Sequence, residues 1–111
     1  MEFGLPDTTL ATVRGILAAC PQVATAILYG SRAKGNYKPG SDIDLTLTGE
    51  GLGYAELVHI ANELEESDIP YRVDLSLLAG VDNPSLREHI ERVGKVFYQR
   101  GVDWGDGEGG V

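Results

Sequence analysis

Leu28-Tyr29-Gly30-Ser31-Arg32-Ala33-Lys34-Gly35 and, after six intervening residues, Asp42-Ile43-Asp44-Leu45 decide the fold of this 111-residue chain. The apolar run Ala24-Thr25-Ala26-Ile27-Leu28-Tyr29 reads as a buried strand, and Gly30 stops it. Residues 31–40 are polar and carry Gly35, Pro39 and Gly40, which confines them to a short helix or loop. A second strand then spans about Asp42–Thr48, with Ile43, Leu45 and Leu47 alternating against Asp42, Asp44, Thr46 and Thr48.

Upstream, Asp7-Thr8-Thr9 offers capping side chains before Leu10, Val13, Ile16 and Leu17, which share one helical face until Pro21 ends the pattern. Downstream of a loop at Gly49–Gly53, Tyr54, Leu57, Val58, Ala61 and Leu64 fall at helical spacing. Ser67-Asp68-Ile69-Pro70 breaks that helix, and Tyr71–Leu77 reads as a third strand. Asn83-Pro84 opens a last helix with the stripe Leu86, Ile90 and Val93. Gly94 stops it, and Lys95–Tyr98 supplies a short closing strand. Helix, strand, strand, helix, strand, helix, strand predicts an α+β domain, a small mixed sheet with helices packed on it. One domain is expected over residues 1–100, with a flexible, acidic, glycine-rich tail at 101–111.

Composition narrows the partners. Nine basic against seventeen acidic side chains give a net charge of −8, which opposes a polynucleotide or an anionic membrane as main partner. A mononucleotide remains compatible, because a bound cation offsets local negative charge. A protein partner of opposite charge is equally compatible. The lone Cys20 excludes an intrachain disulfide, no apolar run spans a bilayer, and the first residues lack signal-peptide character, so the expected location is cytoplasmic.

Three short features carry chemistry. Asp42 and Asp44, two apart on a strand, put both carboxylates on one face, an arrangement whose repulsion a hard cation such as Mg²⁺ relieves. Gly30 allows backbone to approach a phosphate, and Ser31 adds a hydroxyl; the spacing from Gly30 to Lys34 excludes a Walker loop. Asp74 shares its strand face with Arg72 and Ser76 and joins the pair if its strand neighbours the second. Three carboxylates can hold two cations for an in-line phosphoryl displacement. Taken singly, each feature is better explained by a strand end, a turn or a wet strand face.

Jointly they resemble a family. Gly30-Ser31, ten residues, then Asp42-Ile43-Asp44, with a third aspartate at Asp74, is similar to the signature of the polymerase-β nucleotidyltransferase superfamily. The short chain resembles its minimal nucleotidyltransferases, antitoxin partners of HEPN-domain toxins. That resemblance covers roughly residues 8–98 and implies a polymerase-β-like fold. It implies Gly30 and Ser31 on the nucleotide triphosphate, Asp42 and Asp44 on two Mg²⁺ ions, and Asp74 completing one metal site. It further implies transfer of AMP from ATP to a tyrosine hydroxyl of a HEPN-type RNase toxin within a hetero-oligomer. Arg32, next to Ser31, is expected to add positive charge for the triphosphate.

Other residues read as structural. Lys34 fits a solvated connector; His59 and His89 lie on predicted helices without ligand-spaced partners; Cys20 fits packing, and Tyr29 the core. Two alternatives stand beside protein adenylylation. One is a non-catalytic antitoxin or nucleotide-binding subunit acting by occlusion; the other is a nucleotidyltransferase for small molecules, which usually requires an additional substrate domain.

Overall fold

The computed structural model describes residues 1–102. Four strands, β1 (Thr25–Tyr29), β2 (Ile43–Thr48), β3 (Val73–Leu77) and β4 (Lys95–Gln99), form one sheet in the order β3-β2-β1-β4. β1 runs antiparallel to both β2 and β4, and β2 runs parallel to β3. The parallel pair requires a crossover, which α3 (Tyr54–Glu66) supplies. α1 (Asp7–Ala18), the single turn α2 (Ser31–Lys34) and α4 (Pro84–Val93) complete an α+β domain with the mixed sheet expected. Most of the expected tail, from Asp103 onward, lies outside the described residues.

Strand alternation gives the sheet two chemically different faces. Ala26, Leu28, Ile43, Leu45 and Leu47 point to one side and are buried with Leu10, Val13 and Leu17 of α1 and Ile60 and Leu64 of α3. Each of the Leu, Ile and Val side chains among them contributes about 1.5–3 kcal/mol by leaving water. The register slips between Ala26 and Ile27, so β4 buries two consecutive residues, Phe97 and Tyr98. Arg14 fixes the bulged segment by donating from Nε to the Phe97 carbonyl at 2.8 Å, with its guanidinium 4.8 Å from the Phe97 ring centre.

Two local expectations change. No side chain caps α1: Pro6 holds the N-cap position, and Asp7 sits inside the first turn, where its negative charge faces the positive end of the helix. α3 buries Ile60 and Leu64 and half-buries Leu57, whereas Tyr54 is 74% exposed and Val58 and Ala61 face solvent. Both stripes fit a 3.6-residue period; packing on α1 and β3 selects the one with Ile60. By contrast Asn83 caps α4 as the sequence implies, its Oδ1 accepting from the amides of Ser85 and Leu86 at 2.9 and 3.2 Å.

Candidate active site

The second sheet face carries the polar chemistry. The register sets Tyr29 opposite Asp44 across β1 and β2, and Asp44 opposite Asp74 across β2 and β3. Neighbouring strands are about 4.8 Å apart, so the two carboxylates share one face at adjacent positions. Asp42 lies just before β2 and is exposed; Asp44 is half-buried, and Asp74 is exposed on the edge strand β3. Further along the same face, Ser76 donates to the buried Thr46 hydroxyl at 3.0 Å.

Gly30 closes over this row. It adopts φ +77° and ψ −157°, a backbone region that side-chain-bearing residues avoid. A Cβ at position 30 would collide with Oδ2 of Asp44. The glycine therefore brings the end of β1, just before Ser31 opens α2, directly against the Asp44 carboxylate.

The charges in this cluster oppose one another. Burial pushes the Asp44 carboxyl above its ordinary range, and the negative charges of Asp74 and Asp42 push it further, with His89 pulling the other way. Burial also raises the Tyr29 phenol; a hydrogen bond with Ser76 partly offsets this, and Asp44 and Asp74 add to the rise. Ionising Asp44 thus disfavours the folded chain. That burden is absent below the ordinary carboxyl value of 3.8 and fully felt once pH has risen through the higher folded value. Accordingly Asp44→Asn should melt at a higher temperature than the wild type at pH 7 in chelator. The gap should close as pH falls toward 3.8, which thermal melts across pH would show. An unchanged or lower melting temperature at pH 7 would mean that the cluster is not repulsive.

Arg32 has a different place from the one its neighbour Ser31 suggests. Its side chain is 2% exposed, and its guanidinium donates to the carbonyls of Ser41 at 3.0 Å, Phe3 at 2.9 Å and Pro39 at 3.2 Å. The Tyr37 and Tyr71 rings flank it at 5.2 and 5.1 Å. A planar, weakly hydrated cation with a fixed fork of donors tolerates such burial. Arg32 therefore braces the 39–41 loop that delivers Asp42, with its donors turned to backbone instead of toward a phosphate. Lys34 is exposed, as expected.

Two residues set aside in the sequence belong to this face. Tyr29 is half-buried there rather than in the core, which strand parity with Leu28 would have indicated. His89 of α4 accepts a hydrogen bond at Nε2 from the Gly30 amide at 3.1 Å and meets the Tyr29 ring edge-on, centroids 6.2 Å apart. Its only signal in the sequence is position: residues 86, 89, 90 and 93 share one helical face. His59 is exposed on α3, and the Cys20 thiol is buried and donates to Gln22 Oε1 at 3.3 Å. A groove of about 440 Å³ lined by Cys20, His59 and Ile60 contains none of the site residues; it lies between α1 and α3, on the opposite face of the sheet.

The carboxylates fit a cation only in company. Among the described residues, no three His, Cys, Asp or Glu side chains form a protein-only metal site. Mg²⁺ does not require one: it is commonly held by one or two carboxylates together with substrate phosphates and water. The arrangement thus suits a metal completed by a phosphate-bearing ligand under Gly30.

The profile of the polymerase β nucleotidyltransferase domain matches residues 12–102, spanning the glycine turn and all three aspartates. This chain belongs to the polymerase-β nucleotidyltransferase family. Within the family it is 35% identical over 100 residues to the probable protein adenylyltransferase MntA of Haemophilus influenzae, covering 89% of this chain and 87% of that one. Among solved structures, a toxin–antitoxin complex with AMP-PNP aligns with TM-score 0.63 at 22% identity, covering 95% of this chain and 81% of that one. A minimal nucleotidyltransferase aligns at TM-score 0.62 and 26% identity, covering 86% of this chain and 95% of that one. An MNT antitoxin structure in complex with the tri-AMPylated HEPN toxin of Shewanella oneidensis aligns at TM-score 0.55 and 20% identity, over 84% and 69% of the two chains. The polymerase-β-like fold anticipated from the Gly30–Asp44 signature is thereby established for this nucleotidyltransferase. No helix among the described residues is long and apolar enough to cross a membrane.

Proposed function

We propose that this nucleotidyltransferase is the antitoxin of a two-protein system and transfers AMP from ATP to a tyrosine hydroxyl of a HEPN-domain RNase toxin. The observation that carries the reading is Gly30 packed against Asp44, with Asp74 at the adjacent register position. A domain that acted only by occlusion would gain nothing from a self-repelling carboxylate row. The related probable protein adenylyltransferase and the MNT antitoxin bound to an AMPylated HEPN toxin support a toxin as the acceptor.

In this reading Gly30 and Ser31 hold the triphosphate, and Asp42 and Asp44 hold Mg²⁺ with it, Asp74 completing the set. When bound, the metal neutralises phosphate charge and polarises the reacting phosphoryl group. Asp74, exposed on an edge strand, is the carboxylate that an incoming protein hydroxyl can reach. It orients that hydroxyl and accepts its proton as the oxygen attacks the α-phosphorus. The new O–P bond forms, the α–β anhydride breaks, and pyrophosphate leaves. Arg32 enters only by holding Ser41, and through it Asp42, in place.

The test is transfer of label from α-³²P-ATP, with Mg²⁺, to the co-purified partner. Label on a partner tyrosine is the expected result. A stable complex that takes up no label would replace transfer by occlusion. Label incorporated only into small molecules would favour a small-molecule nucleotidyltransferase.

A further inference from the structure

His89 sits twelve residues beyond the end of β3, on a helix that carries none of the signature residues, yet it touches the turn on which the signature depends. Gly30 holds its φ +77°, ψ −157° conformation without a side chain to restrain it, and glycine is the residue with most freedom to leave such a conformation. Its amide donates to Nε2 of His89 at 3.1 Å. Accepting this bond requires an unprotonated Nε2, with the ring proton on Nδ1.

The platform beneath the ring is firm. Asn83 caps α4, Ile90 is buried, and Arg87 Nη1 donates to the carbonyls of Leu78 at 2.9 Å and Val81 at 2.8 Å. The ring meets Tyr29, the last residue of β1, edge-on. The Gly30 and Ser31 carbonyls accept from the amides of Lys34, Gly35 and Asn36 within the turn itself, whereas the Gly30 amide is held by an acceptor anchored on a separate helix.

We infer that His89 is a positioning residue for nucleotide binding: through its bond to the Gly30 amide it presets the Gly30–Ser31 turn to receive the triphosphate. This rests on the nucleotide site proposed above and adds a residue to it. The amide committed to His89 leaves the Ser31 backbone and hydroxyl as the donors of the turn that face a phosphate. Removing the acceptor lets the turn sample other conformations, so binding weakens while the reacting groups are unchanged.

The experiment compares His89→Leu, similar in bulk but without an acceptor, with His89→Gln, whose Oε1 can reach the place of Nε2. Two readouts are taken on the full chain: exchange of the Gly30 amide by NMR, and the Kd for ATP with Mg²⁺ by calorimetry. His89→Leu should speed Gly30 exchange and raise Kd by about five- to tenfold, the scale of one net hydrogen bond. In the partner-labelling assay it should raise KM for ATP with kcat within about twofold, the pattern of lost ground-state binding. His89→Gln should restore exchange, Kd and KM. Equal behaviour of the Leu and Gln variants, unaltered Gly30 exchange in the Leu variant, or a fall in kcat at constant KM would each overturn the proposal. A wild type that binds ATP but labels no partner would remove adenylylation, while the Kd comparison would still decide the role of His89.

Discussion

Asp42→Asn/Asp44→Asn should retain its partner but transfer AMP at least about a thousandfold more slowly than the wild type, since metal-borne charge stabilisation in phosphoryl transfer is worth several kcal/mol. The two side chains differ in surroundings, which makes the double substitution more decisive than either single one. Asp42 is exposed and Asp44 half-buried beneath Gly30, so a metal could shift its weight from one to the other. Asparagine keeps the shape of both and removes the charge. The partner-labelling assay reads the rate, and co-purification reads the complex. Structural damage is not expected to explain the loss, because removing charge from Asp44 relieves repulsion from Asp74 and Asp42. Should the double variant label its partner at the wild-type rate, the carboxylates would have no part in the reaction.

Arg32→Met should destabilise the fold by about 3–5 kcal/mol, a large part of the roughly 5–15 kcal/mol a domain of this kind possesses. Three backbone carbonyls, of Phe3, Pro39 and Ser41, lose their donor at once, and the Tyr37 and Tyr71 rings lose the plane between them. For a domain near 100 residues that corresponds to a fall in melting temperature of about 15 °C or more. Arg32→Lys should recover little of it, because a single ammonium cannot reproduce a planar fork aimed at three acceptors. Thermal melts decide the matter. A melting temperature within about 3 °C of the wild type, accompanied by lost ATP binding, would return Arg32 to the phosphate-binding role its position beside Ser31 suggests.

Periodicity alone set out most of the architecture. Alternation through Ile43–Thr48 separates core residues from carboxylates, because a strand has a period of two whatever surrounds it. The same arithmetic pairs Asp42 with Asp44, and Asn83-Pro84 and Gly94 bracket α4 by local backbone chemistry. The order of elements called for a mixed sheet, since a parallel pair must be bridged by a crossover such as α3.

What sequence left open were choices among equivalent local solutions. α3 carries two apolar stripes, and only its docking against α1 and β3 decides that Ile60 is buried and Tyr54 exposed. Asp74 becomes a neighbour of Asp44 solely because β3 adds beside β2 in register. Arg32 is a cation beside a serine in the sequence; the folding of Phe3, Pro39 and Ser41 around it turns it into a brace. His89 gains meaning from a hydrogen bond to Gly30 across fifty-nine residues of chain. Such contacts depend on where whole elements dock, which is fixed by packing of the complete core, whereas strand parity, helix caps and the Gly30–Asp44 spacing are properties of the local chain and can be read from it directly.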